Sequence, residues 1–192
     1  MKPLYRALAL AGLVTARATP ALAQDQNQDS FEAFRGGQWS TGGGIGFTAE
    51  PDETFLISLK ADYRLKGDGL AGRISIGPVM DFGVEDDFLL FLFYGNTKIH
   101  WGLDELIGDS EMAKRIEIFG QMGFGLAHIE IDTPFGDFDD QGVLWNFGGG
   151  IDYHINDRIA LTSNMRFNIL GPDLFPDDFT FSWEMIGAKY KF

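Results

Sequence analysis

Three histidines, His100, His128 and His154, are the only imidazoles in a 192-residue chain that has no cysteine. With no thiol available, neither a disulfide framework nor a thiolate metal site can form. Nucleophilic or acid–base chemistry therefore falls to histidine, serine and carboxylate. Acyl hydrolysis needs a histidine beside a serine and a carboxylate. Asp152 and His154 share a face if their segment is a strand, and Ser163 follows on the next segment but on the opposite, apolar face. The set is incomplete, so a histidine held in a polar network is favoured over a catalytic one. Asp137, Asp139 and Asp140 offer hard oxygen ligands to a divalent cation. A solvated acidic surface that resists aggregation explains them more simply. Gly42–Gly46 and Gly148–Gly150 fall inside strand patterns rather than opening helices, so they make no nucleotide loop. On these grounds the sequence predicts no enzyme, and no catalytic, cofactor or metal residue is assigned.

The elements that would position such groups are strands. Residues 1–23 stand apart: Lys2 and Arg6 are followed by an apolar run from Ala7 to Val14 and by Ala21-Leu22-Ala23. This is the order of a secretory signal peptide, and the run is too short to cross a bilayer as a helix. Removing it leaves 12 basic against 28 acidic residues, a net charge of −16 that argues against nucleic acid as a partner. Residues 24–37 read as a flexible lead-in and 38–192 as one domain.

From Gln38 onward the chain alternates with period two through eight segments. The second is the clearest, with Phe55, Ile57, Leu59, Ala61 and Tyr63 opposite Ser58, Lys60, Asp62 and Arg64. The third sets Ile74, Ile76 and Met80 against Arg73, Ser75 and Asp81, and Pro78 predicts a bulge or strand end there. The fourth, Phe88 to Trp101, begins apolar on both faces; the fifth, Arg115 to Ile131, slips in phase beyond Ala127. The sixth and seventh place Asp152, His154, Arg158 and Arg166 opposite Trp145, Phe147, Leu161 and Phe167, with a two-residue turn at Asn156-Asp157. The eighth, Phe179 to Phe192, changes parity along its length. Tyr190 and Ile186 cannot share a face with Trp183 and Phe181 in a regular strand, which predicts a bulge between Glu184 and Gly187 or aromatics turned into an interior mouth.

An all-β, eight-stranded antiparallel up-and-down transmembrane barrel fits these segments: strands of about ten residues match a tilted crossing, and aromatics lie near strand ends. The connections after strands one, three, five and seven carry thirteen acids and no Lys or Arg, and in such a barrel all four lie at one end, the extracellular one. An interior of this size is filled by side chains. The polar faces would give it a paired charge network of Lys60, Asp62, Arg64, Arg73, Asp81, Lys98, Glu117, Asp152, Arg158 and Arg166. Leu90 and Leu92 share a face with Asn96 and Lys98, which raises the alternative of an apolar conduit for small hydrophobic molecules.

The runs Phe119-Gly-Gln-Met-Gly-Phe-Gly-Leu-Ala127, Phe147-Gly-Gly-Gly-Ile-Asp-Tyr-His-Ile-Asn-Asp-Arg158 and Gly187-Ala-Lys-Tyr-Lys-Phe192 resemble the small eight-stranded outer-membrane β-barrels of Gram-negative bacteria. The resemblance implies a monomer in the cell outer membrane, among outer-membrane lipid and lipopolysaccharide, with a structural or narrow-pore role. It also implies that Gly187, Tyr190 and Phe192 are read by the barrel-assembly machinery, with Met185 standing where that signal usually has a polar residue. Some barrels of this size modify lipid A, the second alternative.

Overall fold

A computed structural model describes residues 36–49, 54–85, 88–108, 110–133, 136–171 and 179–192. The expected signal peptide, most of the lead-in and most of the acidic connections lie outside them. Eight strands follow in order: β1 (Trp39–Ala49), β2 (Thr54–Arg64), β3 (Ile74–Glu85), β4 (Phe88–Gly102), β5 (Ile116–Thr133), β6 (Gly136–His154), β7 (Ile159–Leu170) and β8 (Phe179–Lys191). Each pairs antiparallel with its neighbours, and β8 returns to pair with β1, so the sheet closes into a barrel with no free edge. One short helix, α1 (Leu103–Ile107), and a 3-10 turn, Ala113–Arg115, fill the β4–β5 connection.

Burial follows the period-two alternation and is inverted relative to a water-soluble protein. Met122, Phe124, Leu126 and Trp145 point outward and are more than half exposed, while Lys98, Asp152, His154 and Arg166 point inward and are at most 2% exposed. Water would hydrate the inner groups and shun the outer ones, so this arrangement is stable only with an apolar medium outside.

Four local expectations change. Pro78 neither bulges β3 nor ends it. Lys60 faces Val79 and Tyr63 faces Ile76 in one unbroken register, but the two pairs between them are missing. Proline has no N–H for the ladder, so the interruption falls on the β2 side while Pro78 still pairs with Gly95 of β4. Beyond Ala127, β5 keeps a continuous register on both sides, and what changes is the interior itself, which turns apolar at Ile129. The Asp132–Gln141 segment is mostly paired strand rather than loop, because β5 and β6 run on together to Thr133 and Gly136. The β6–β7 turn is four residues, not two: Asn156 Oδ1 accepts from the backbone N–H of Arg158 and of Ile159, both at 2.9 Å, and holds the chain out of the ladder.

The bulge in β8 is present. Ile45 of β1 pairs with Ile186 and Gly46 with Glu184, leaving Met185 as the extra residue. Met185 and Ile186 are consecutive and both exposed. Glu184 on one side and Gly187 on the other both face inward, and the aromatics Phe179, Phe181 and Trp183 stay on the outer surface.

Candidate functional site

Among the described residues the candidate polar side chains converge in the interior, which is layered along the barrel axis. Towards the acidic-loop end, Leu90, Leu92, Ile129, Leu144, Leu170, Ala127 and Val79 pack with Tyr94 into an apolar cluster, each at most 3% exposed. Leu90 and Leu92 thus point into the lumen, and they meet packed neighbours rather than a channel.

Below the cluster lies a belt of paired charges. Arg166 reaches Asp81 Oδ2 at 2.8 Å; Tyr94 donates to the same oxygen at 3.0 Å, and Arg166 also donates to Tyr94. A chain of side chains then crosses the lumen. Asn96 donates to Gln121 at 3.0 Å, Gln121 to Asn164 at 3.3 Å, and Asn164 to Glu184 at 2.6 Å, with Lys60 on the other Glu184 oxygen at 2.5 Å. Lys98 pairs with Asp62 at 2.7 Å, and Lys189 holds both oxygens of Asp152 at 2.8 and 2.6 Å. Lone charges at such depth would cost several kcal/mol each, so the pairing is what makes the interior habitable for them.

The third layer lies at the end where β1 begins. Arg64 approaches Glu117 Oε1 at 3.4 Å, and two imidazoles flank the other carboxylate oxygen, His154 Nε2 at 3.3 Å and His100 Nδ1 at 3.7 Å. Ser75 Oγ lies 2.8 Å from His100 Nε2. Ser75, His100 and Glu117 therefore follow the order of a nucleophile, base and acid. The cavity beside them, bounded by Gln38, Ser40, Asp62, Arg64, Ser75, His100, Asp152 and Lys189, is about 10 Å³. That is roughly room for one water and none for an acyl group.

Of the sequence-predicted network, Lys60, Asp62, Arg64, Asp81, Lys98, Glu117, Asp152 and Arg166 are all buried inside. Two residues are not. Arg73 sits in the 3-10 turn Ala71–Arg73 before β3 and pairs with Glu105 of α1 at 2.7 Å, half-exposed. Arg158 is exposed in the β6–β7 turn, because β7 begins only at Ile159. The serine, aspartate and histidine considered for hydrolysis have separate partners. Ser163 donates to the backbone carbonyl of Glu184 at 3.1 Å, beside the bulge; Asp152 belongs to Lys189; His154 lies against Glu117.

Sequence reading missed Glu184 and Lys189. Counting parity inward from each end of β8 places both inside, but only a bulge reconciles the two counts. Gly187 faces inward, where an added methyl would overlap Glu184 Oε1 as well as Thr162; a methyl at Gly44 would meet the same oxygen. Two glycines on paired strands thus make room for one carboxylate. Tyr190 and Phe192 are on the outer surface with ring centroids 6.3 Å apart.

No family model matches the chain, and no curated protein matches it in sequence. Solved structures do. Neisserial surface protein A aligns with a TM-score of 0.60 at 12% identity, over 81% of this chain and 96% of that one. The N-terminal β-barrel domain of Pseudomonas aeruginosa OprF aligns at 0.58 and 12%, over 82% and 100%. The fold is that of the small eight-stranded outer-membrane barrels. A structure reported as the de novo design of transmembrane β-barrels shares it too, at 0.52 and 14% over 83% and 98%. The likeness at this identity is one of fold, and any function rests on the side chains.

Proposed function

We propose that the chain is a structural outer-membrane β-barrel protein with a closed lumen. It sits as a monomer in the cell outer membrane of a Gram-negative bacterium, against lipid and lipopolysaccharide. Residues 1–23 direct its export, and Gly187, Tyr190 and Phe192 present it to the barrel-assembly machinery. The observation that carries this reading is the inverted burial, with charge paired inside and a band of aromatic and aliphatic side chains outside.

Two of the three layers of the interior argue against a general-diffusion pore. Ions would have to cross both the apolar cluster around Leu92 and the cross-lumen chain from Asn96 to Lys60. A hydrophobic conduit would need the same cluster to part. Planar-bilayer recording of the full chain tests this directly. Wild type is expected to give no resolved unitary conductance, whereas a double Leu90→Ala, Leu92→Ala variant thins the apolar layer and gives small, flickering events. Steady channels of wild type would contradict a closed lumen, and uptake of apolar solutes by wild type would favour the conduit.

A further inference from the structure

The lowest layer of the lumen is overdetermined for a plug. One donor atom from each of His100, Glu117 and Asp152 lies within 4.8 Å of the others, and all three side chains are buried. His100 is 5% exposed, and its Nδ1 faces Glu117 Oε2 across 3.7 Å, too far for a hydrogen bond, without a partner of its own. Two ligand atoms sharing one ion at zinc-like bond lengths of about 2.0–2.2 Å stand roughly 3.3–3.6 Å apart. The Nδ1 to Oε2 gap is close to that spacing. The cavity of about 10 Å³ beside His100 and Asp152, which Arg64 and Lys189 also line and Glu117 does not, has room for one small occupant.

We propose that His100, Glu117 and Asp152 form a lumenal site for a borderline divalent transition-metal ion, with Zn²⁺ as the type case and water as a fourth ligand. Ser75 is a positioning residue. In the tautomer in which it accepts a hydrogen bond from His100 Nε2–H, 2.8 Å away, the Nδ1 lone pair is left facing the ion. Glu117 gives Oε1 to Arg64 and would share Oε2, which His154 Nε2 approaches at 3.3 Å, with the ion; Asp152, both of whose oxygens Lys189 holds, would release one of them to the ion. Drawing the donors in by about 1 Å completes the shell. The two cations also set the selectivity. They oppose ions held by carboxylate charge alone, such as Mg²⁺ and Ca²⁺, and leave the advantage to an ion that bonds to imidazole nitrogen.

Such a site would be an ion-dependent lock joining β4, β5 and β6 at one barrel mouth, a property beyond the structural role proposed above. The test is calorimetric titration of ZnCl₂ into the full, untagged chain folded in detergent micelles, with folding of every variant verified by heat-modifiable gel mobility. One Zn²⁺ per barrel is expected and no Mg²⁺. His100→Gln should abolish that binding, and Ser75→Ala should weaken it by about 10- to 100-fold. Anomalous scattering at the zinc edge, from wild-type crystals, should put the ion between the three side chains. Absence of binding by folded wild type, binding unchanged in folded His100→Gln, or an anomalous peak at the acidic-loop end would each overturn the site. A chain that fails to fold in detergent at all would instead count against the barrel's membrane character.

Discussion

Ser163 shows how far a residue's type can mislead without its surroundings. Beside a histidine and an aspartate on the neighbouring strand it has the makings of a nucleophile. In the barrel its hydroxyl donates to the Glu184 carbonyl at the bulge and accepts from the Trp183 indole at 3.2 Å, on the outer surface. Where the sheet is irregular, backbone groups facing lipid lose water as a fallback partner, so a local hydroxyl is the remedy available. Ser163→Ala should therefore cost about 1 kcal/mol, read as a lower urea midpoint for unfolding from lipid vesicles. An unchanged midpoint would mean that the bulge needs no such donor. Arg73 and Arg158 were misplaced for a different reason. Alternation assigns a face only to residues inside a strand, and both stand one residue before a ladder begins. His100 shares the strand parity of Lys98, but its cluster is not legible in the sequence, since Glu117 and Asp152 join it only through the register of three strands.

At the scale of elements, β2, β7 and the part of β6 from Val143 onward could be read almost directly, because most of their inward residues are polar and most of their outward ones apolar. The start of β4 and the end of β5 could not. Their inward residues, Leu90, Leu92 and Ile129, are as apolar as the outward ones, so the period-two signal vanishes although the strands continue. Parity alone exposed the β8 bulge, and Gly187 marks the site because the Glu184 carboxylate occupies the space a side chain would take. Pro78 is the remaining irregularity. It interrupts the β2–β3 ladder at two pairs in the middle of an otherwise regular wall. Pro78→Val restores an N–H and a strand-favouring side chain, and should stabilise the barrel by roughly 0.5–1.5 kcal/mol. A destabilised variant would show that the interruption is required, for instance by the close approach of Gly77 to the Ala61 carbonyl.

For the whole molecule, the decisive property is which side of the sheet meets the apolar medium. Period-two alternation cannot distinguish the two sides; closure of β8 onto β1 together with burial does, by enclosing the charged face. Because the chain has no cysteine, single cysteines can be introduced and spin-labelled one at a time. Labels at Val143, Trp145, Phe147 and Ile151, four outward positions along β6, report the medium around the barrel after reconstitution into vesicles. Collisions with lipid-dissolved oxygen should exceed those with a water-soluble nickel chelate at all four, with the ratio peaking at the inner positions. Labels open to the chelate along the whole strand would place this face in water and contradict the membrane-spanning barrel.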